Sequence, residues 1–354
     1  MSTMTHFKTF IRYLQTEARY AQTRISREIR RSPHYHPKCE INKRFELLLK
    51  IWKESRPAPL IARWLVTEWC NNDCHYCSQV HTRKRIIKKG PRKFYAHAFD
   101  NHPVETWIDA FKRLGQGRKL VLTITGGEPM LDQKNMVRFI SEMVSAESVE
   151  NIRIDTNAHW DPRPYRGIDK TRIFLMCTFH PSQIKEEDFI KRIAALRHER
   201  FNIAMINYVM TPAQARDFVR LKTLFGHMGI PLNSNPLWTD GKSRSHEEIA
   251  VLRQFLDDFD LMYRGQTSSP RGKFCLFPAI SNEIDQAGAL MVGCHPEYSG
   301  DLIKARYPLL PCGPVPCPAR SCVCLDKYSF LDGCDRNTSL NPLKKYAEEA
   351  IKGM

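Results

Sequence analysis

From residue 60 onward the chain alternates short apolar runs that read as strands with amphipathic runs that read as helices. Strands are expected over residues 61–67, 120–125, 151–155, 172–178, 202–209 and 231–237. Helices are expected over 104–114, 133–145, 186–197, 212–226 and about 246–259. Six strand–helix units imply a parallel α/β sheet, and right-handed crossovers curl such a sheet into an open barrel. Reactive groups in barrels of this kind come from the C-terminal ends of the strands. Here those ends carry Cys70 to Cys77, Gly126 to Glu128, Thr156 and Asn157, Cys177, Thr178 and His180, Asn207, and Asn233 to Asn235.

The first strand delivers the chain into Cys70-Asn71-Asn72-Asp73-Cys74-His75-Tyr76-Cys77, which puts three thiols within eight residues. Three soft ligands that close must share one metal centre. An iron–sulfur cube takes four thiolates, one per iron, so a C-x3-C-x2-C loop with no fourth cysteine nearby leaves one iron open to another ligand. The competing reading is a structural zinc site, because His81 stands at a spacing that would close a Cys3His tetrahedron. The second strand ends in Gly126-Gly127-Glu128-Pro129, where two glycines let the backbone approach a neighbour closely. Alone, that tetrapeptide is an ordinary turn.

Taken in order, the C-x3-C-x2-C loop after the first strand, the aromatic Tyr76 before the third cysteine, and the GGEP turn after the second strand resemble the radical S-adenosylmethionine (SAM) superfamily. The resemblance implies a partial (β/α)6 radical SAM barrel. It implies that Cys70, Cys74 and Cys77 hold a [4Fe–4S] cluster whose open iron chelates S-adenosyl-L-methionine. It further implies that Tyr76 packs near the adenine, and that Gly126, Gly127 and Glu128 receive the methionine ammonium. Thr156 and Asn157 match the third-strand segment of the family, with Ala158 where a glycine is common. Cys177 stands where many relatives carry a Ser that contacts the cofactor ribose. His180 faces either the substrate, as a catalytic proton donor or acceptor, or merely its own loop.

The surplus of positive charge, +16 over 354 residues, is concentrated. Residues 1–60 carry thirteen Lys/Arg against five Glu, and residues 81–93 add seven basic residues and no acid. Residues 6–31 read as a basic helix with a partial apolar stripe, a second helix is expected over 40–53, and the Pro-rich step at 56–59 marks a domain boundary. The insert 81–93 leaves the cysteine loop at the barrel mouth, where a cationic rim would attract an anionic substrate and a solvated loop would do nothing. No apolar run is long enough for a membrane span and no secretory signal is evident, so a cytoplasmic, oxygen-sensitive protein with reduced thiols is expected.

After residue 265 the chain changes character, with Cys275, Cys294, Cys312, Cys317, Cys322, Cys324 and Cys334 in sixty residues. Cys275, then Ile284-Asp285-Gln286-Ala287-Gly288, then Cys294 resembles the hairpin that opens the SPASM and twitch extensions of radical SAM enzymes. That resemblance implies one or two auxiliary [4Fe–4S] clusters, although the later cysteine spacings depart from the usual SPASM run. A zinc knuckle over Cys312 to Cys334 is the alternative. The expected division is a basic helical region (1–59), the radical SAM core barrel (60–265), a SPASM/twitch-like auxiliary cluster domain (266–340) and a closing helix (341–354).

What the resemblance implies is an enzyme that reductively cleaves S-adenosylmethionine to a 5′-deoxyadenosyl radical and abstracts hydrogen from a substrate C–H bond. The expected outcome is net oxidation or modification of a sugar, a nucleotide-linked small molecule or a peptide, with a reductant such as flavodoxin or ferredoxin. The reading from a different class is a zinc-stabilised nucleic-acid-binding protein with a basic N-terminal arm. The strand–helix repeat and the GGEP turn argue against it.

Overall fold

The structure, a computed structural model, describes residues 60–77, 97–237, 244–255, 271–272, 274–275, 277–292, 295–308, 310 and 315–319. The expected N-terminal helices, the basic insert 81–93 and the closing helix lie outside the described residues.

The core is a nine-stranded sheet. Six strands form its parallel part: β1 (Leu60–Thr67), β2 (Leu120–Gly126), β3 (Val149–Thr156), β4 (Ile173–Phe179), β5 (Asn202–Met210) and β6 (Leu232–Pro236). They lie side by side in sequence order, each parallel to the next. Beyond β1 the sheet continues with β8 (Ser281–Ile284), parallel to β1, and then with the antiparallel strands β9 (Ala289–Val292) and β10 (His295–Asp301). The outer strands β10 and β6 do not pair, so the sheet is open, as expected of a partial barrel. That three strands from the C-terminal part extend the same sheet was not legible in the sequence.

The helices follow the sequence pattern closely. A short α1 (Ala98–Asn101) precedes α2 (Val104–Leu114), and α3 (Gln133–Ser145) and α4 (Glu186–His198) follow. The expected helix 212–226 is broken into α5 (Pro212–Ala215) and α6 (Phe218–His227), and α7 (His246–Leu252) comes next. Val104, Trp107, Ile108, Phe111 and Leu114 give α2 one buried stripe at i, i+3, i+4 and i+7. That stripe meets alternate residues of β1: Leu60, Ala62, Trp64 and Val66. Trp64 is fully buried, with ring centroids of Trp107 and Phe139 each 4.7 Å away and Phe111 5.1 Å away. This aromatic cluster fixes β1, and therefore the point at which the chain leaves the sheet for the cysteine loop.

Parity decides what each strand offers to the opposite face. Leu120, Leu122 and Ile124, then Ile152 and Ile154, then Ile173, Leu175 and Cys177 all belong to the core shared with the helices. Their neighbours in sequence, Thr123 and Thr125, Arg153 and Asp155, and Thr178, face the other way. Arg153 Nε lies 2.7 Å from Asp155 Oδ1, Arg63 Nη1 lies 3.3 Å from Glu283 Oε1, and Asn233 Nδ2 donates to Asn207 (2.8 Å) and Asn235 (3.0 Å). This face of the sheet thus carries paired polar groups beside a small buried apolar cluster of Phe174, Met176, Ala204 and Met205.

Candidate active site at the C-terminal ends of β1 to β4

The cysteine loop is laced to the ends of three neighbouring strands. The first lacing is to β2. Gly127 N–H donates to Thr67 O (2.7 Å) and Glu128 N–H donates to Trp69 O (2.7 Å), while Trp69 N–H is capped by Thr67 Oγ1 (3.1 Å). A Cβ at Gly127 would lie 2.0 Å from Trp69 O, and one at Gly126, whose φ is 155°, would lie 2.4 Å from Thr67 O. The two glycines thus serve a close approach, and what they approach is the backbone leading into the cysteine loop. Gly127→Ala is expected to destabilise the protein by about 1–3 kcal/mol, the usual cost of overpacking a fixed contact. A urea midpoint equal to that of the wild type would refute this.

Glu128, expected to receive the methionine ammonium, is enclosed. Its side chain is 0% exposed. Oε1 accepts from Met130 N–H (3.1 Å), Oε2 accepts from Asn157 N–H (2.7 Å), and Thr156 Oγ1 lies 2.9 and 3.0 Å from the two oxygens. The carboxylate is enclosed and engaged by its own fold. Burial pushes its pKa up to about 7 against the hydrogen bonds from Asn157, Thr156 and Met130, which pull it down. Thr156 is in the same enclosed network: its Oγ1 also accepts from Ala158 N–H (3.0 Å) and Trp160 Nε1–H (2.9 Å). Ala158, where relatives often have glycine, adopts the left-handed conformation that favours glycine, at φ 61°.

The second lacing is to the turn after β3. Asn157 Nδ2 donates to Asn71 Oδ1 (2.7 Å) and approaches Cys70 Sγ at 3.5 Å, and Asn71 Nδ2 donates to His159 O (2.9 Å). The third is to the loop after β4, where the Gln183 amide spans the backbone of Asp73, accepting from its N–H (2.9 Å) and donating to its O (3.2 Å). Tyr76 Oη lies 3.0 Å from His180 Nδ1, and the two rings stack with centroids 5.9 Å apart. Burial lowers the His180 pKa to about 4, so the imidazole is neutral at physiological pH. Asn71, His159 and Gln183 carry no sequence signal of a role. They lie 88 and 110 positions from their partners, and only the fold brings them together.

Cys177 is 0% exposed and belongs to the core between sheet and helices, and burial drives its thiol pKa far up. The residue of β4 that faces the open side is Thr178.

Cys70, Cys74 and Cys77 are all free thiols. Cys74 is pushed up to about 12 by burial and then by the charges Cys77 and Cys70 would carry beside it. Cys70 is raised chiefly by burial and also by Glu128, against hydrogen bonds from Asn72 and Asn157. Three thiols on so short a loop suit a multiply charged cationic centre. Among the described residues no three His, Cys, Asp or Glu side chains gather around a single ion; a cube takes one thiolate per iron and needs no such convergence. His81, on which the closed zinc alternative depends, lies outside the described residues.

In the C-terminal part, β7 (Phe274–Cys275) pairs antiparallel with β11 (Val315–Pro316). Cys275 stands opposite Val315, two residues before Cys317, and Gly272 N–H donates to Cys317 O (2.8 Å). The ladder sets Cys275 and Cys317 two positions apart in register. A hairpin is present as β8–β9, its turn closed by Asp285 Oδ1, which accepts from Ala287 and Ala289 N–H, and by Gly288 at φ 93°. Cys294, Cys312, Cys322, Cys324 and Cys334 lie outside the described residues.

Residues 64–235 match the family model described as the Radical SAM superfamily. None of the curated proteins matches the sequence. A solved structure of His6-tagged anSMEcpe with bound AdoMet is similar, at 11% identity over 70% of this chain and 76% of that chain, with a TM-score of 0.50. Native anSMEcpe with bound AdoMet and Kp18Cys peptide gives 12% identity over 70% and 79%, with a TM-score of 0.49. Streptococcus suis SuiB bound to precursor peptide SuiA gives 13% identity over 70% and 64%, with a TM-score of 0.35. Among the described residues no helix is long and apolar enough to cross a membrane. The first of these likenesses is one of fold; the residues that match the Radical SAM superfamily model, just under half of the chain, hold the open parallel sheet and the cysteine loop at its first strand end.

Proposed function

We propose that Cys70, Cys74 and Cys77 hold a [4Fe–4S] cluster, that S-adenosylmethionine binds beside it, and that the chain reductively cleaves this cofactor to modify a substrate C–H bond. The observation that carries the reading is the loop itself: three free thiols after β1, hydrogen-bonded to the ends of β2, β3 and β4 within the residues that match the Radical SAM superfamily model. When bound, the pair supplies one-electron cleavage of the sulfonium and a 5′-deoxyadenosyl radical that takes hydrogen from the substrate.

The chain's own residues do the positioning. Gln183 holds the Asp73 backbone at both its N–H and its O, which fixes the loop between Cys70 and Cys74. His180, neutral and 3.0 Å from the Tyr76 hydroxyl, acts as a positioning residue for that ring rather than as a proton donor to substrate. On the open face, Thr178 takes over the ribose side from Cys177. The paired charges Arg153–Asp155 and Arg63–Glu283 and the Asn207–Asn233–Asn235 group suit a polar substrate, of the sugar, nucleotide-linked or peptide kind. Cys275 and Cys317, brought by the β7–β11 ladder to within two positions of one another in register, are candidate ligands of an auxiliary cluster. Such a centre would accept the substrate electron and make the outcome a two-electron oxidation. A flavodoxin- or ferredoxin-like protein would supply the first electron.

The test is anaerobic reconstitution with iron and sulfide, reduction with dithionite and assay for 5′-deoxyadenosine and methionine. A brown protein that forms both is expected. A colourless, zinc-loaded protein that forms neither would overturn the reading and return the nucleic-acid-binding alternative.

A further inference from the structure

We infer that Asn157 is a positioning residue for the cluster ligand Cys70, and that its side-chain N–H directed at the Cys70 sulfur raises the reduction potential of the cluster held there. The inference rests on the proposed cluster at Cys70, Cys74 and Cys77.

The orientation of the Asn157 amide is fixed by its surroundings. Oδ1 accepts from His159 N–H at 2.8 Å, so the oxygen cannot be the atom turned toward the loop. The nitrogen therefore faces Asn71 Oδ1 at 2.7 Å and Cys70 Sγ at 3.5 Å. Asn71 is oriented independently, because its own Nδ2 donates to His159 O at 2.9 Å and leaves Oδ1 to accept from Asn157. The backbone of Asn157 is held in turn by Glu128, whose enclosed carboxylate accepts its N–H at 2.7 Å. Each of these bonds fixes the next, from a carboxylate inside the fold to the sulfur of a ligand. Cys70 Sγ receives one further donor, the Asn72 N–H at 3.4 Å.

Hydrogen bonds to ligand sulfurs are one of the levers that set iron–sulfur potentials. A donor stabilises the sulfur more when the cluster carries the extra electron, so it favours the reduced state. Removing it must make the cluster harder to reduce. Among the described contacts the side-chain donor at Cys70 is the Asn157 N–H and that at Cys74 is the Tyr76 hydroxyl, so a change at Asn157 acts at the Cys70 corner of the loop.

The experiment is a redox titration followed by electron paramagnetic resonance on the reconstituted full chain, using the signal that shifts when S-adenosylmethionine is added to separate this cluster from any other. Asn157→Leu removes the donor without adding charge, and Asn157→Asp removes it while keeping the oxygen for His159. Both are expected to weaken the reduction equilibrium about tenfold, which is about 59 mV for one electron, with iron content at the wild-type level. An unchanged or higher midpoint in both variants overturns the inference while leaving the cluster assignment standing. Absence of any S-adenosylmethionine-sensitive signal in the wild type overturns both.

A second measurement needs no variant. Wild-type protein grown with asparagine labelled with 15N only at the side-chain amide is reduced and examined by electron–nuclear double resonance. A 15N coupling on the S-adenosylmethionine-sensitive signal is expected, because Asn157 Nδ2 is the side-chain amide nitrogen at the sulfur, while Asn71 Nδ2 is turned to His159 O. No such coupling refutes the inference even where the variants fail to fold.

Discussion

Replacing Cys70, Cys74 and Cys77 together by Ala is expected to lower 5′-deoxyadenosine formation to the level of a protein-free control. In the proposed site each thiolate is the ligand to one iron, and Cys177, on the neighbouring strand β4, is packed among the helices. The fold should survive the change. Cys70 and Cys77 are half-buried, and the bond that shapes the loop, Cys77 N–H to Cys74 O at 3.0 Å, is between backbone atoms that Ala retains. The tethers from Asn71, Asp73 and Tyr76 are likewise untouched. Iron bound by the triple variant then reports on the C-terminal cysteines. Residual iron and sulfide with no cofactor cleavage is the outcome expected if Cys275 and Cys317 belong to an auxiliary cluster. Undiminished cleavage would sink the assignment of the three ligands.

The parts of this molecule legible in the sequence are those written in periodicity or local spacing. Val104 to Leu114 is a helix because its apolar residues recur at helical intervals, and both of its ends were readable. The β1 to β6 order followed from the alternation of strands and helices, because crossovers of this length leave parallel neighbours as the natural arrangement. What was not legible depends on parity and distance. Cys177 and Thr178 are adjacent in sequence, and which of them faces a ligand turns on a register that a one-residue shift would reverse. The ammonium role of Glu128 was what the family resemblance implied, and nothing in its local sequence announces that the side chain is enclosed. Its burial comes from Met130, Thr156 and Asn157, and the last two lie 28 and 29 positions away. The extension of the sheet by β8 to β10 was hidden for a similar reason, since four-residue strands leave too little pattern to reveal a pairing across 220 positions.

Glu128→Ala is expected to cost at least about 3 kcal/mol, because it leaves three enclosed donors, Met130 N–H, Asn157 N–H and the Thr156 hydroxyl, without an acceptor, each typically worth about 1–3 kcal/mol when unpaired. The loss should depend on pH in a direction that the burial of this carboxyl fixes. Its folded-state pKa of about 7 stands above the ordinary 4.5. Between those values the folded chain holds a proton that the unfolded chain has released, so this group's contribution to stability is fully present below 4.5 and declines as pH rises to 7. The Ala variant has no such group and no such slope. Urea midpoints of the reconstituted wild-type and variant proteins at pH 5 and pH 8 should therefore differ more at pH 5. The position of Asn157 is at stake in the same experiment, since its backbone N–H hangs on Glu128 Oε2, and the cluster of the variant should be harder to reduce as Cys70 loses its donor. A stability loss under about 1 kcal/mol would mean that water or a small shift satisfies the three donors. Equal pH slopes in the two proteins would mean that the hydrogen bonds from Asn157, Thr156 and Met130 outweigh burial, and that the carboxylate is charged throughout that range.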